Sequence, residues 1–131
     1  MLRLIIAKAA VAAALSATIS VGGGAGHVHR HVPRHVTPVE YAQEVLHANG
    51  TQLRCVINLW NRESGWNPRA DNPYSGAYGI PQALPGWKMA SAGRDWRTDA
   101  RTQIRWGAGY IRGAYGNPCN ALLHEIRWGW Y

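Results

Sequence analysis

Phenylalanine is absent from this 131-residue chain, cysteine occurs only twice, and Asp and Glu together number 7. Two cysteines exclude a disulfide-dense scaffold and any four-cysteine metal site. With so few acids, chemistry that needs a carboxylate has few candidates. Long apolar runs are missing too: the uncharged stretch Ala9 to Val21 is shorter than the ~20 residues of a spanning helix and is diluted by Ser16, Thr18 and Ser20. No internal repeat is present.

The N-terminal part nevertheless has a definite layout. Arg3 and Lys8 surround a short apolar segment, the uncharged run follows, and the small residues Gly23 and Ala25 close it. This is the pattern of a secretory signal peptide over residues 1–25, with an uncleaved membrane anchor as the alternative. Residues 26–36 carry His27, His29, His31 and His35 among Val and Arg, with Pro33 forbidding a continuous helix, and read as a His/Arg-rich linker. His27, His29 and His31 would project to one side of an extended chain, so metal binding is the alternative there, although no Asp, Glu or Cys lies nearby to complete a shell. Residues 37–131, roughly 95 in number, remain for one domain with a modest core and a small site.

The formal charge of +7 falls to +5 once Arg3 and Lys8 leave with the signal peptide. A basic exported protein suits a polyanionic cell wall. Nucleic acid is the rival polyanion, but the basic residues are scattered over several elements without a nucleic-acid motif, and no nucleic-acid partner is expected. Export also favours a disulfide between Cys55 and Cys119, from the first turn of one helix to the first turn of the last, against the alternative of two free buried thiols.

Four helices are legible in the pattern. Thr37-Pro-Val-Glu40 has a cap, a first-turn proline and a glutamate placed to reach back, and this helix is expected to end at Asn49-Gly50. Thr51 can cap a second helix to about Ser64, where Gly65 offers a left-handed exit. The segment from Asn67 to Gly86 is rich in Pro, Gly, Asn and Ser and predicts a turn-rich loop or minimal β-hairpin, followed by a short helical stretch over Trp87 to Ala90. Thr98-Asp99 can cap a third helix with Ile104, Ala108, Ile111 and Tyr115 on one stripe, while Gly107, Gly109 and Gly113 suggest close packing against a neighbour. Asn117-Pro118 opens a last helix through Arg127. The fold class is mainly α.

Leu53, Val56, Ile57 and Trp60 form the buried stripe of the second helix, and Glu63 falls on it, seven residues after Val56 and three after Trp60. An apolar face disfavours the charged form of a carboxylate, raises its pKa and keeps it a proton donor near neutral pH. The plainer alternative is an ion pair with Arg62 or another arginine. Other acids have simpler roles: Glu40 and Asp99 suit first-turn capping, Glu44 an exposed face, and Glu125 a place within a short terminal helix, while Asp71 and Asp95 remain possible helpers in loops.

Glu63-Ser64-Gly-Trp-Asn-Pro68 followed by Gly76-Ala-Tyr-Gly-Ile-Pro-Gln82 resembles the Glu-Ser and Gly-Leu-Met-Gln motifs of lytic transglycosylases with a goose-type lysozyme fold, and Thr102 to Ile111 is similar to their third motif, which ends in a Tyr-aliphatic pair. The span from about Leu53 to Tyr131, with Ala83-Leu-Pro-Gly86 and the terminal Gly-Trp-Tyr, looks like the small secreted transglycosylase-like domains of actinobacteria. Pro81 stands where the broader family commonly has Met, and the usual Ala-Tyr-Asn-Ala-Gly segment is absent.

The resemblance implies a small lysozyme-like domain over 37–131, secreted or held at the cell wall, acting on peptidoglycan glycan strands as a monomer, with membrane contact only through the signal peptide. It needs no metal or organic cofactor. Glu63 would protonate the bond between N-acetylmuramic acid and N-acetylglucosamine and then activate the muramoyl 6-hydroxyl to close a 1,6-anhydro ring. Ser64, Tyr78, Gly79, Gln82, Tyr110 and Tyr131 would bind substrate, Gly79 by letting backbone approach the sugar and Tyr131 in place of the missing tyrosine. Ordinary glycosidases need two carboxylates, so the lack of a second one on the Glu63 helix favours the transglycosylase route. A hydrolytic muramidase, a non-catalytic wall-binding module and a cationic membrane-active protein are the alternatives.

Overall fold

A computed structural model of the chain describes residues 35–131. The expected signal peptide, and the linker with its His27, His29 and His31, lie outside the described residues apart from His35 and Val36. The described part is mainly helical: α1 (Pro38–Leu46), α2 (Gly50–Ser64), a 3₁₀ helix (Gly86–Ser91), α3 (Ala100–Tyr115) and α4 (Pro118–Trp128).

Helix starts follow local side-chain chemistry. Thr37 accepts from the Glu40 amide while the Glu40 carboxylate accepts from the Thr37 amide, a complete capping box ahead of Pro38. Asp99 accepts from the Thr102 amide at 2.8 Å, and Asn117 accepts from the Asn120 amide at 3.0 Å. The junction of the first two helices differs from expectation. α1 stops at Leu46 because His47 adopts the left-handed conformation, with φ of 52°, and returns its amide to Gln43 and Glu44. Asn49 then becomes the N-cap residue of α2, and Thr51, one residue inside the helix, instead accepts from Arg54 at 3.0 Å. α4 runs one residue beyond the expected Arg127, to Trp128, before the left-handed Gly129.

The turn-rich segment forms no sheet. Two isolated antiparallel bridges, Asp71 with Tyr78 and Tyr78 with Ala83, fold it into three short passes with Tyr78 in the middle. The 3₁₀ helix follows, covering the expected short helical stretch.

Val56, Leu59 and Trp60 from α2 meet Ile104 and Ile111 from α3, with Ala42, Ile80 and Ala121, in the main core. Each large side chain buried there contributes about 1.5–3 kcal/mol. Gly107 is needed at this contact: a Cβ would lie 2.8 Å from the Trp60 ring and 3.0 Å from Pro81. Gly109 and Gly113, expected to pack closely as well, face open space. A second cluster of Ala83, Met89 and Trp96, with Tyr78 and Trp106 against it, seats the loop on α3.

Cys55 and Cys119 form the disulfide, with Cα atoms 4.9 Å apart and a sequence separation of 64. A closed loop of that size limits the unfolded chain by about 4 kcal/mol. The bond joins α4 in its first turn to α2 in its second, rather than to the first turn of α2, since that helix begins at Gly50.

Candidate active site

Glu63 sits in the last turn of α2, just before the chain leaves through the left-handed Gly65. It forms part of the wall of a cleft of about 680 Å³ whose rim and floor include Gln82, Leu84, Lys88, Trp106, Tyr110, Trp130 and Tyr131. A cleft of this volume is in the range that holds a small ligand. Glu63 is the one carboxylate on that lining among the described residues.

The side chain is half-buried, and its pKa rises from 4.5 to about 7. Loss of hydration is the main cause; the Glu125 carboxylate beside it adds repulsion and accepts a hydrogen bond from the protonated form, against a smaller opposing effect of Arg62. Glu125 is only 9% exposed and comes from the core face of α4. Its Oε1 lies 3.7 Å from Arg62 Nε. The alternative of an ion pair between Glu63 and Arg62 is displaced: Arg62 forms its ion pair with Glu125, and Glu63 has a carboxylate neighbour instead.

Ser64 closes the helix end. Its hydroxyl donates to Ile80 O at 2.8 Å and lies 3.3 Å from Trp60 O, tying the end of α2 to the loop that carries Gln82. Gln82 itself has a left-handed backbone, with φ of 48°, and its amide nitrogen donates to Gly79 O and Ala70 O. Its donors thus hold the loop while the residue lines the cleft.

Tyr131 bridges two elements by its hydroxyl, which accepts from Trp60 Nε1 at 2.7 Å and donates to Pro81 O at 3.0 Å. Burial, and then the nearby Glu63 and tyrosines, push its pKa well above the ordinary value, so the phenol stays neutral as a fixed strut. Tyr110 stacks on Trp106 with centroids 5.3 Å apart and planes inclined by 8°, forming a flat aromatic surface in the cleft. Trp106 is four residues before Tyr110 on α3, so the i, i+4 rule was a usable signal for it.

Tyr78 and Gly79, the remaining expected binding residues, are not on the cleft lining. Tyr78 donates to Arg97 O at 2.9 Å and packs edge-on against Trp96. Gly79 is buried with φ of +76°, and a Cβ there would lie 2.6 Å from Gln103 Oε1, so its bare backbone admits the Gln103 amide rather than a sugar. Asp71 is exposed and paired with Tyr78 in a bridge, Asp95 accepts from the Thr102 hydroxyl at 2.7 Å, and neither lines the cleft.

Two important residues were not singled out from the sequence. Gln103, fully buried, accepts from the Ile80 amide at 2.9 Å and donates to Pro68 O at 2.8 Å and Trp96 O at 2.7 Å, so one side chain holds three segments between α2 and α3. Glu125 reads in the sequence only as a member of the short terminal helix. The periodicity that identifies Glu63 also identifies Glu125, which shares one face of α4 with buried Pro118 and Ala121 at spacings of seven and four.

Compared with protein-family models, curated proteins and solved structures, the chain gives no match, so a functional reading rests on this site.

Proposed function

We propose that this chain is a lytic transglycosylase that cleaves the glycan strands of peptidoglycan, with Glu63 as its acid and base. The observation that carries the reading is a carboxyl group with a pKa of about 7 on the wall of a cleft faced by stacked aromatic rings. A sugar offers an apolar ring face to Trp106 and Tyr110, and hydroxyls and amides to polar groups at the rim.

At neutral pH a substantial share of Glu63 is protonated, as a general acid requires. Its proton passes to the glycosidic oxygen as the bond from that oxygen to C1 of the muramoyl residue breaks. The resulting carboxylate takes the proton of the muramoyl 6-hydroxyl while O6 closes on C1. One carboxylate serves both steps, and no water is consumed.

Glu125 bears on the choice between this route and hydrolysis. A hydrolase places its second carboxylate across the scissile bond, roughly 5–9.5 Å from the first. Glu125 instead acts on Glu63 from off the cleft lining, where it is suited to adjusting the acid and not to activating water. Export to the wall agrees with the basic charge and the single disulfide.

Mass spectrometry of the muropeptides released by the purified chain tests the reading. Anhydro-muramoyl ends are expected from the wild type and none from Glu63→Gln. Reducing ends would identify a hydrolase, and wall binding without release by either form would identify a non-catalytic module.

A further inference from the structure

We infer that Glu125 is a positioning residue for Glu63: paired with Arg62, its carboxylate accepts the Glu63 hydroxyl as a hydrogen-bond donor and so determines both where the acid points and when it holds its proton. As a mechanistic statement this rests on the function proposed above; as a statement about two carboxyl groups it does not.

The geometry begins with the helices. α2 and α4 are tied by Cys55–Cys119 near their starts, and Glu63 meets Glu125 eight and six residues later. The helices therefore run side by side in the same direction, with one covalent tie and one carboxyl pair marking the two ends of their contact. The disulfide limits how far the carboxyl groups can separate.

The second observation is an orphan. Oε2 of Glu125 is buried and has no hydrogen-bond partner, although leaving such an atom unpaired costs about 1–3 kcal/mol or more. Arg62 approaches the other oxygen, Oε1. The donor that the fold brings to Glu125 is the carboxyl proton of Glu63, the same proton that the reaction spends. Beside a second carboxylate, losing the Glu63 proton converts an attractive contact into a repulsive one.

This gives the site a directional device. While Glu63 is protonated, it is held toward Glu125; once it has donated to the substrate, repulsion turns the new carboxylate toward the cleft, where the second step needs a base. The other titratable and charged groups that bear on the pair are Arg62 on α2, Tyr110 and Tyr115 on α3, and Tyr131. Burial raises the Tyr115 pKa to about 12 and Tyr131 is also raised, so neither phenol ionises in the range where Glu63 does.

The test is a carbon-13 NMR titration of the Glu63 side-chain carboxyl in the full chain, in E125Q and in R62Q, with the pH dependence of glycan cleavage measured alongside. The wild-type midpoint is expected near 7. E125Q removes the like charge and should weaken Glu63 proton affinity about tenfold, with the basic limb of kcat/KM moving down by the same amount. R62Q changes an exposed arginine and should strengthen that affinity, moving both upward. An unmoved Glu63 midpoint in E125Q overturns the proposal, as does an even loss of turnover at every pH. If E125Q does not fold, E125D decides: it keeps the charge but draws the carboxylate back by one methylene, so the Glu63 midpoint should move, and an unmoved midpoint overturns the proposal. If the wild type releases no muropeptides, the enzymatic reading fails while the titration still decides the pairing.

Discussion

Two polar centres, one at the end of α2 and one in the first turn of α3, are treated in opposite ways. Around Gln103, both ends of the side-chain amide are used and three backbone groups from three segments are satisfied by it. Around Glu63 and Glu125, a half-buried acid faces a carboxylate and one buried oxygen has no partner. A satisfied polar group inside a protein adds rigidity, whereas an unsatisfied one raises the free energy of one protonation state. The first centre builds the loop; the second keeps a proton on a carboxyl group up to neutral pH. The difference separates architecture from chemistry without reference to any related protein.

The comparison is broken most directly at Glu63. Glu63→Gln should reduce muropeptide release by roughly 100-fold or more, as loss of a general acid and base does, while the variant still sediments with peptidoglycan. Equal release by both forms removes Glu63 from the chemistry.

At the other centre, Gln103→Ala should leave turnover chemistry formally intact and cost stability. It strands the Ile80 amide and the Pro68 and Trp96 carbonyls beside a cavity, for about 3–5 kcal/mol, and thermal unfolding should shift down by more than about 10 °C. A shift of only a degree or two would mean that water replaces the amide and that the loop does not depend on it.

Tyr131→Phe sits between the two centres and should have a smaller effect. Trp60 Nε1 loses its acceptor and Pro81 O its donor, at about 1–3 kcal/mol, with packing of the ring retained. Denaturant unfolding measures it, and an unchanged midpoint with an unchanged slope would show that the hydroxyl is not the strut inferred from its hydrogen bonds.

The smallest effect sharpens the contrast by its sign. The Glu63 pKa is about 7 in the folded protein against 4.5 as the ordinary value, so the folded state binds the proton more tightly than the unfolded state. Stability is then fully present below about pH 4.5, falls as pH rises toward 7 and stays lower above it. Discounted for partial exposure, the loss is on the order of 1–2 kcal/mol. Glu63→Gln should therefore raise the melting temperature at pH 8 by about 4–8 °C and leave it nearly unchanged at pH 4, measured by calorimetry. A side chain whose removal stabilises the fold is the outcome expected of an acid kept in unfavourable surroundings.

Much of this was legible in the residues. The caps at Thr37, Asp99 and Asn117 act within three residues of themselves, and the left-handed exit at Gly65 needs no tertiary partner. The stripe through Val56, Trp60 and Glu63 places the acid because helical periodicity is a local property. His47, by contrast, ends α1 early in a conformation that nothing in its side chain announces, and Thr51 is a good cap in principle at a position where the helix has already begun.

Local order along the chain thus determined that this protein is mainly helical, where most helices start, and which carboxylate lies on an apolar face. Only the packing of α2 beside α4 decided that Glu125 would be its neighbour, and only the closure of the loop on α3 decided that Gly79 and Tyr78 would serve Gln103 and Trp96 instead of the cleft. The physical reason is one of range: caps and stripes depend on residues a turn or two apart, while the field at a carboxyl group and the space beside a glycine depend on side chains tens of residues away.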